Sequence, residues 1–425
     1  MSPCNLVYIM KKFFYISLIF LKFSAYTLAA QNIEVCASCE IKTLTEAVEN
    51  ARDFDTIFVK KGIYKEYNIG ITKPLTIIGE ENAMIDGENN GEIITIQADN
   101  VTIDGLKIVN VGTSYTTDYA AVRVVKSENF LLRNLKLEQL FFGLYLEKAK
   151  NGKIFNNTII GDAKEEFSSG NGIQLWYCQN VEVAGNKVQG VRDGIYLEFS
   201  DEITISDNIS SNNLRYGLHF MFSNHDTYVN NLFENNGAGV AVMFSKFITM
   251  KGNTFRKNWG TASFGLLLKE INDSEILNNN FEENTVGINI EGSNRVNYIH
   301  NDFKNNGWAV KVRGACYNNI FESNNFLYNS FDVSYNSRLN ENNFDRNYWS
   351  NYTGYDLDRN GIGDVPYRPV KLFSYIVNRT PETIILLRSL FIDIIDFSEK
   401  VSPIFTPDNL IDEHPLLKPV RHDSN

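Results

Sequence analysis

One phrase is written three times between Gly194 and Ser245. It reads Gly194-Ile195-Tyr196-Leu197-Glu198-Phe199-Ser200, then Gly217-Leu218-His219-Phe220-Met221-Phe222-Ser223, then Gly239-Val240-Ala241-Val242-Met243-Phe244-Ser245. Each copy opens on Gly, alternates apolar with variable residues and runs into a polar turn. A fixed period of about 22 residues marks a repeat architecture, in which a unit buries its apolar face only against its neighbours. The register extends over Ala121, Gly143, Gly172, Gly194, Gly217, Gly239, Gly265, Gly287 and Ala309, with longer steps that hold insertions at 161–171 and 259–264. A second slot carries Phe233, Phe255, Phe281, Phe303, Phe326 and Phe344, each behind an Asn-containing doublet. Alternation with period two over short runs argues for strands and against helices. The pattern predicts an all-β chain, a right-handed parallel β-helix solenoid whose coils stack about 4.8 Å apart with like residues in ladders.

Alternation also assigns faces. Leu144/Leu146, Ile173/Leu175, Ile195/Leu197, Leu218/Phe220, Val240/Val242, Leu266/Leu268 and Ile288/Ile290 are expected inside. Their alternates, among them Tyr145/Glu147, Trp176, Tyr196/Glu198, His219/Met221, Met243 and Lys269, are expected on one continuous outer wall, where function should be sought.

The organisation follows. Residues 1–30 read as a secretory signal: Lys11-Lys12, an apolar Phe13–Leu21 and small residues near Ala29-Ala30, with Met10 a second candidate start. Residues 31–91 form an N-terminal cap, with a capping helix near Leu44–Ala51, and the first irregular coils. Regular coils fill 92–345, and 346–425 hold a loop and a helical cap that begins at Thr380-Pro381-Glu382. The formal charge of −11, without basic runs, argues against nucleic acid and anionic membranes as partners. No later stretch is apolar enough to span a bilayer, so cleavage is expected to release a periplasmic protein.

Four cysteines follow the signal. Cys36-Ala37-Ser38-Cys39 reads as a local disulfide in an oxidising compartment, or else as a soft-metal pair suited to Cu(I). Cys178 and Cys316 lie too many coils apart to pair. Near the C-terminus, Asp356, Asp358, Asn360 and Asp364 hold the first, third, fifth and ninth places of a calcium-loop pattern with Gly361 sixth, although Tyr367 stands where the bidentate Glu would be. The alternative is an Asx-rich turn that satisfies its own backbone.

Asn347–Tyr352, Gly354–Asp356 and the run Gly361 to Pro369 resemble the C-terminal signature of the NosD family of nitrous-oxide reductase maturation proteins. Arg192–Tyr196, Arg215–Met221, Gly237–Met243 and Gly265–Lys269 resemble that family's central coils. The resemblance implies an exported, non-enzymatic β-helix that works with an ABC transporter's ATPase and membrane permease. It implies a role in maturing the copper–sulfur centre of nitrous-oxide reductase, with a copper chaperone as a further expected partner. The residues add a location. Met221 and Met243 share a slot on adjacent coils with His219 nearby, and thioether and imidazole are donors for Cu(I). Trp176, Tyr196 and Glu198 flank them, and Arg192, Arg215 and Lys269 are polar docking candidates. This patch is expected to hold copper transiently or to dock the reductase. The rival reading is a polysaccharide-binding or polysaccharide-cleaving β-helix. Its carboxylates would be Glu147 and Glu198, two coils or about 9.6 Å apart, with Trp176 between them as a sugar platform.

Overall fold

The computed structural model describes residues 31–335, 341–387, 389–401 and 410–421, so the signal segment lies outside the described residues. Three parallel sheets of 14, 12 and 13 strands run the length of the solenoid, each strand pairing with its counterpart one coil away. The predicted register is kept: Ile195 pairs with Leu218, Leu218 with Val240, and Val240 with Leu266. All fourteen residues expected inside are fully buried. Glycine opens these strands because neighbouring coils approach too closely for a side chain. A Cβ on Gly239 would lie 2.2 Å from the Gly265 carbonyl oxygen.

Buried asparagines hold the corners. Asn157, Asn186, Asn208, Asn231, Asn253, Asn279, Asn301, Asn324 and Asn347 form one file. At each step the backbone N–H and the Nδ2 donate to the Oδ1 of the next coil's asparagine, at 2.9 Å for both bonds between Asn157 and Asn186. A second file runs from Asn213 through Asn236, Asn258, Asn284 and Asn306 to Asn329. These bonds satisfy buried corner amides that no strand partner reaches. Phe233, Phe255, Phe281, Phe303 and Phe326 stack as expected, but the column continues into Trp349, not Phe344. Phe344 instead stacks on Phe321, which in turn stacks on Tyr298, because the last coils repeat the Asn-x-Phe spelling in a second sheet.

At the N-terminal end, helix α1 (Leu44–Asn50) turns Leu44, Ala47 and Val48 onto the first coil. The buried Glu66 carboxylate accepts hydrogen bonds from the Leu44 and Thr45 amides, and Lys73 donates to the carbonyls of Val48, Glu49 and Ala51. Both helix ends are thereby satisfied. At the other end, α2 (Leu372–Arg379), a 3₁₀ turn (Pro381–Leu386) and α3 (Leu390–Val401) form the expected helical stretch. It covers the flank of the last three coils, with Phe373, Val377 and Ile392 packed on Val286, Trp308 and Phe331. The open end is closed by residues 410–420. Leu410 joins the core, and Asp412 accepts from the Arg346 and Asn347 amides, Asn347 Nδ2 and Trp349 Nε1. Asp332 stands in this last coil, at the position held by Gly287 and Ala309 in the two before it. Burial pushes its carboxyl up to about 6, against the positive charge of Lys371 and the neighbouring polar side chains of Asn351, Asn329 and Tyr367.

Candidate functional site

The outer wall of the sheet built from the Gly-led strands carries two files of side chains. In the second, Glu147, Trp176, Glu198, Met221, Met243 and Lys269 pair in unbroken register. Met221 and Met243 face outward, directly opposite each other and half-buried, with a carboxylate one coil below and an ammonium one coil above. Strand pairing sets such neighbours about 5 Å apart, so two thioethers share one surface.

Beside this file runs a feature that the sequence reading passed over. Tyr177, Phe199, Phe222 and Phe244 sit at the corner residue that follows it, all in the left-handed region with φ of 55°, 51°, 52° and 56°. Their rings stack in series with centroids 4.8, 5.2 and 5.1 Å apart. The left-handed region costs a non-glycine residue about 1 kcal/mol, and elsewhere in this chain it is often given to Asn. Three of the four rings are also markedly exposed, Tyr177 at 46%, Phe199 at 38% and Phe222 at 41%. Trp176 meets Tyr177 edge-on at 5.0 Å, and the Lys269 ammonium lies 5.8 Å from the Phe244 ring at the far end. The signal was available, since Phe recurs at that slot in all three copies of the opening phrase.

His219 requires a correction. It keeps the outward direction but is only 7% exposed, held between Tyr196 at 5.0 Å and Tyr216 at 4.9 Å, and it does not join the methionines at the surface. Neither ring nitrogen has a hydrogen-bond partner, and Nδ1 stands 3.8 Å from Asp193. Arg215 is likewise not a free docking cation: it forms a two-pronged pair with the buried Asp193. Burial pushes the Asp193 carboxyl up, but the hydrogen bonds and charge of Arg215, with His219 nearby, outweigh it and hold the carboxyl below its ordinary range. Arg192 donates to Asn171. Tyr196 is pushed up to about 12, by burial first and by Glu198 and Asp193 second.

The other sulfur and oxygen groups have partners within the chain. Cys36 and Cys39 form a disulfide, leaving no thiolate pair for a soft metal. Burial raises the thiols of Cys178, to about 12, and of Cys316, so both stay protonated and unreactive. In the acidic loop, Asp356 accepts from the Asn360 and Gly361 amides, Asp358 from Asn360, and Asp364 from the Leu357 amide. These oxygens serve their own turn, and among the described residues no three His, Cys, Asp or Glu side chains converge as metal ligands.

Comparison with known proteins agrees with this architecture. A family profile described as periplasmic copper-binding protein (NosD) matches residues 162–354, which include Met221, Met243 and the aromatic corner. A probable ABC transporter binding protein NosD from Pseudomonas aeruginosa is 29% identical, the match covering 83% of this chain and 86% of the relative. A protein of the same description from Stutzerimonas stutzeri is 26% identical over 82% and 84% of the two chains. The chain is thus similar to the NosD proteins over most of its length. Solved structures add the fold alone. A mannuronan C-5 epimerase A-module from Azotobacter vinelandii matches at a TM-score of 0.56 and 12% identity, over 71% of this chain and 91% of that one. The periplasmic alginate epimerase AlgG matches at 0.53 and 14%, over 74% and 82%.

Proposed function

We propose that this NosD relative is an exported, non-catalytic accessory of an ABC transporter that serves the copper–sulfur centre of nitrous-oxide reductase. Its Met221–Met243 file and aromatic corner are the face on which the reductase docks and across which copper cargo passes. The carrying observation is the methionine pair, in register, outward and beside an exposed aromatic ladder kept at a cost in backbone strain. Thioethers need no deprotonation to bind Cu(I), and two of them make a weak holder, which suits a metal that must be handed on. Methionine beside aromatic edges also adapts to a partner's surface. The copper-binding description of the matching family and the transporter-binding descriptions of the relatives support the same role.

The test is the full-length exported protein carrying Met221→Ala and Met243→Ala. Both positions are half-buried, so its melting temperature should stay within a few degrees of the parent, while assembly of the reductase copper centre should fall at least about tenfold. Unimpaired assembly would end this reading.

A second reading keeps one observation. Glu147, Trp176 and Glu198 do stand in consecutive coils of one file, as a polysaccharide-acting solenoid would need. The corner rings, however, spend their faces on each other and present edges, whereas a sugar ring needs an open aromatic face. Turnover in a screen of acidic and neutral polysaccharides would restore this reading.

A further inference from the structure

The N-terminal disulfide closes a turn that the backbone has already closed. The Cys36 amide donates to the Ile41 carbonyl at 3.2 Å and the Cys39 amide to the Cys36 carbonyl at 3.1 Å, while Val35 and Ile41 pair as a β-bridge. A disulfide stabilises chiefly by restricting the loop it spans in the unfolded chain, and these cysteines are only three apart in sequence. Both are half-buried, with Ala37, Ser38 and Glu40 exposed around them. The strand before them, Asn32–Val35, is the outermost of its 14-stranded sheet, so the sulfurs stand at the N-terminal end of the solenoid. The Ser38 hydroxyl lies 3.3 Å from Cys36 Sγ, where it can donate to a thiolate. Cys178 and Cys316, by contrast, are buried. A disulfide that solvent reaches and the fold hardly needs is open to thiol–disulfide exchange.

We infer that Cys36 and Cys39 form a redox-gated Cu(I) site, closed as the disulfide and open as the dithiol. The oxidised pair offers no thiolate, and a dithiol reductant restores both. One reductant thiolate attacks a disulfide sulfur to form a mixed disulfide, which the reductant's second thiol then resolves. Two electrons and two protons pass to Cys36 and Cys39, and the reductant leaves as its own disulfide. Cu(I) then bonds both sulfurs and displaces the two thiol protons. Ligand count selects the metal. Among the described residues no three His, Cys, Asp or Glu side chains converge, whereas structural zinc takes four ligands and iron–sulfur clusters four cysteines. Cu(I) is soft and is satisfied by two thiolates. The pair shares no ligand with the methionine file. Seven strand steps separate Asn32–Val35 from Thr204–Ser206, in the coil that leads to Met221. At the usual strand spacing that is about 34 Å.

The experiment takes the full-length exported protein, folded and without denaturant, through dithiothreitol and anaerobic desalting. Maleimide tagging read by peptide mass spectrometry should then label Cys36 and Cys39 and leave Cys178 and Cys316 untouched. The reduced protein should melt within a few degrees of the oxidised one. In competition with a colorimetric Cu(I) chelator, it should hold about one Cu(I) more than the oxidised form. Cys36→Ser/Cys39→Ser should lose that extra ion, and Met221→Ala/Met243→Ala should keep it, so this site stands or falls apart from the methionine reading. Equal Cu(I) uptake by the two redox forms would overturn the inference. So would a disulfide that yields to dithiothreitol only in denaturant. A large fall in melting temperature, on reduction or in the serine variant, would make the bond a structural staple instead.

Discussion

Asp332 places a carboxyl where the two preceding coils have Gly287 and Ala309, inside the last coil beside Asn329, Asn351 and Tyr367. Burial is the largest influence on it and raises its pKa from an ordinary 3.8 to about 6. The folded state therefore binds this proton more tightly than the unfolded chain. Its contribution favours folding in full below about pH 4 and is lost as pH rises through about 6, by on the order of 2 to 3 kcal/mol. Asp332→Asn should flatten that part of the stability profile in denaturant titrations at pH 4 to 7 and raise stability at pH 7; an unchanged profile would show the carboxyl to be solvated. His219 shows what a sequence can say about one residue. Alternation fixed its outward direction, but its burial comes from Tyr196 and Tyr216, one a coil away and the other at the strand's start, and a periodicity assigns direction without cover. Arg215 is similar: its partner Asp193 is 22 residues earlier and becomes a neighbour only through stacking.

At the scale of the element, the aromatic corner separates structural from functional reasons for a residue. Phe222→Asn places in the left-handed region a residue that tolerates it. Relief of about 1 kcal/mol of strain should offset loss of stacking worth about 0.5–1.5 kcal/mol, leaving stability within about 1 kcal/mol of the parent. Reductase binding, measured by surface plasmon resonance with the purified partner, should still weaken several-fold; a large fall in melting temperature would make the ladder a structural device. The strands themselves were legible because the period dictates both pairing partner and face. The corner was not read for function, since alternation ends at the turn and a residue there belongs to neither the inside nor the outside list. The Phe344 and Trp349 exchange has the same origin, because two sheets use the same Asn-x-Phe spelling and only stacking tells them apart.

Across the whole molecule, the decisive closure is made by a residue with no local signature. Asp412 follows Asn347 by 65 residues and accepts its amide, its side chain and the Trp349 indole. A carboxylate is the fitting end, having acceptors for the incoming donors and no N–H of its own to satisfy. Asp412→Ala should strand these buried donors and cost about 3 kcal/mol or more. The loss should appear as faster amide exchange in residues 321–349, while coils near Gly217 keep their protection, as expected where each repeat answers mainly to its neighbours. The asparagine file carries one consequence beyond stability. Every rung hands its backbone N–H and one Nδ2 hydrogen toward the C-terminus, the other Nδ2 hydrogen going back to a carbonyl of the coil before, so a chain emerging N-terminus first always ends in a coil still waiting for an acceptor. Completion is thus reported by chemistry, not by length: a molecule cut short before Asp412 exposes its debt at the tip, where proteases and chaperones can find it.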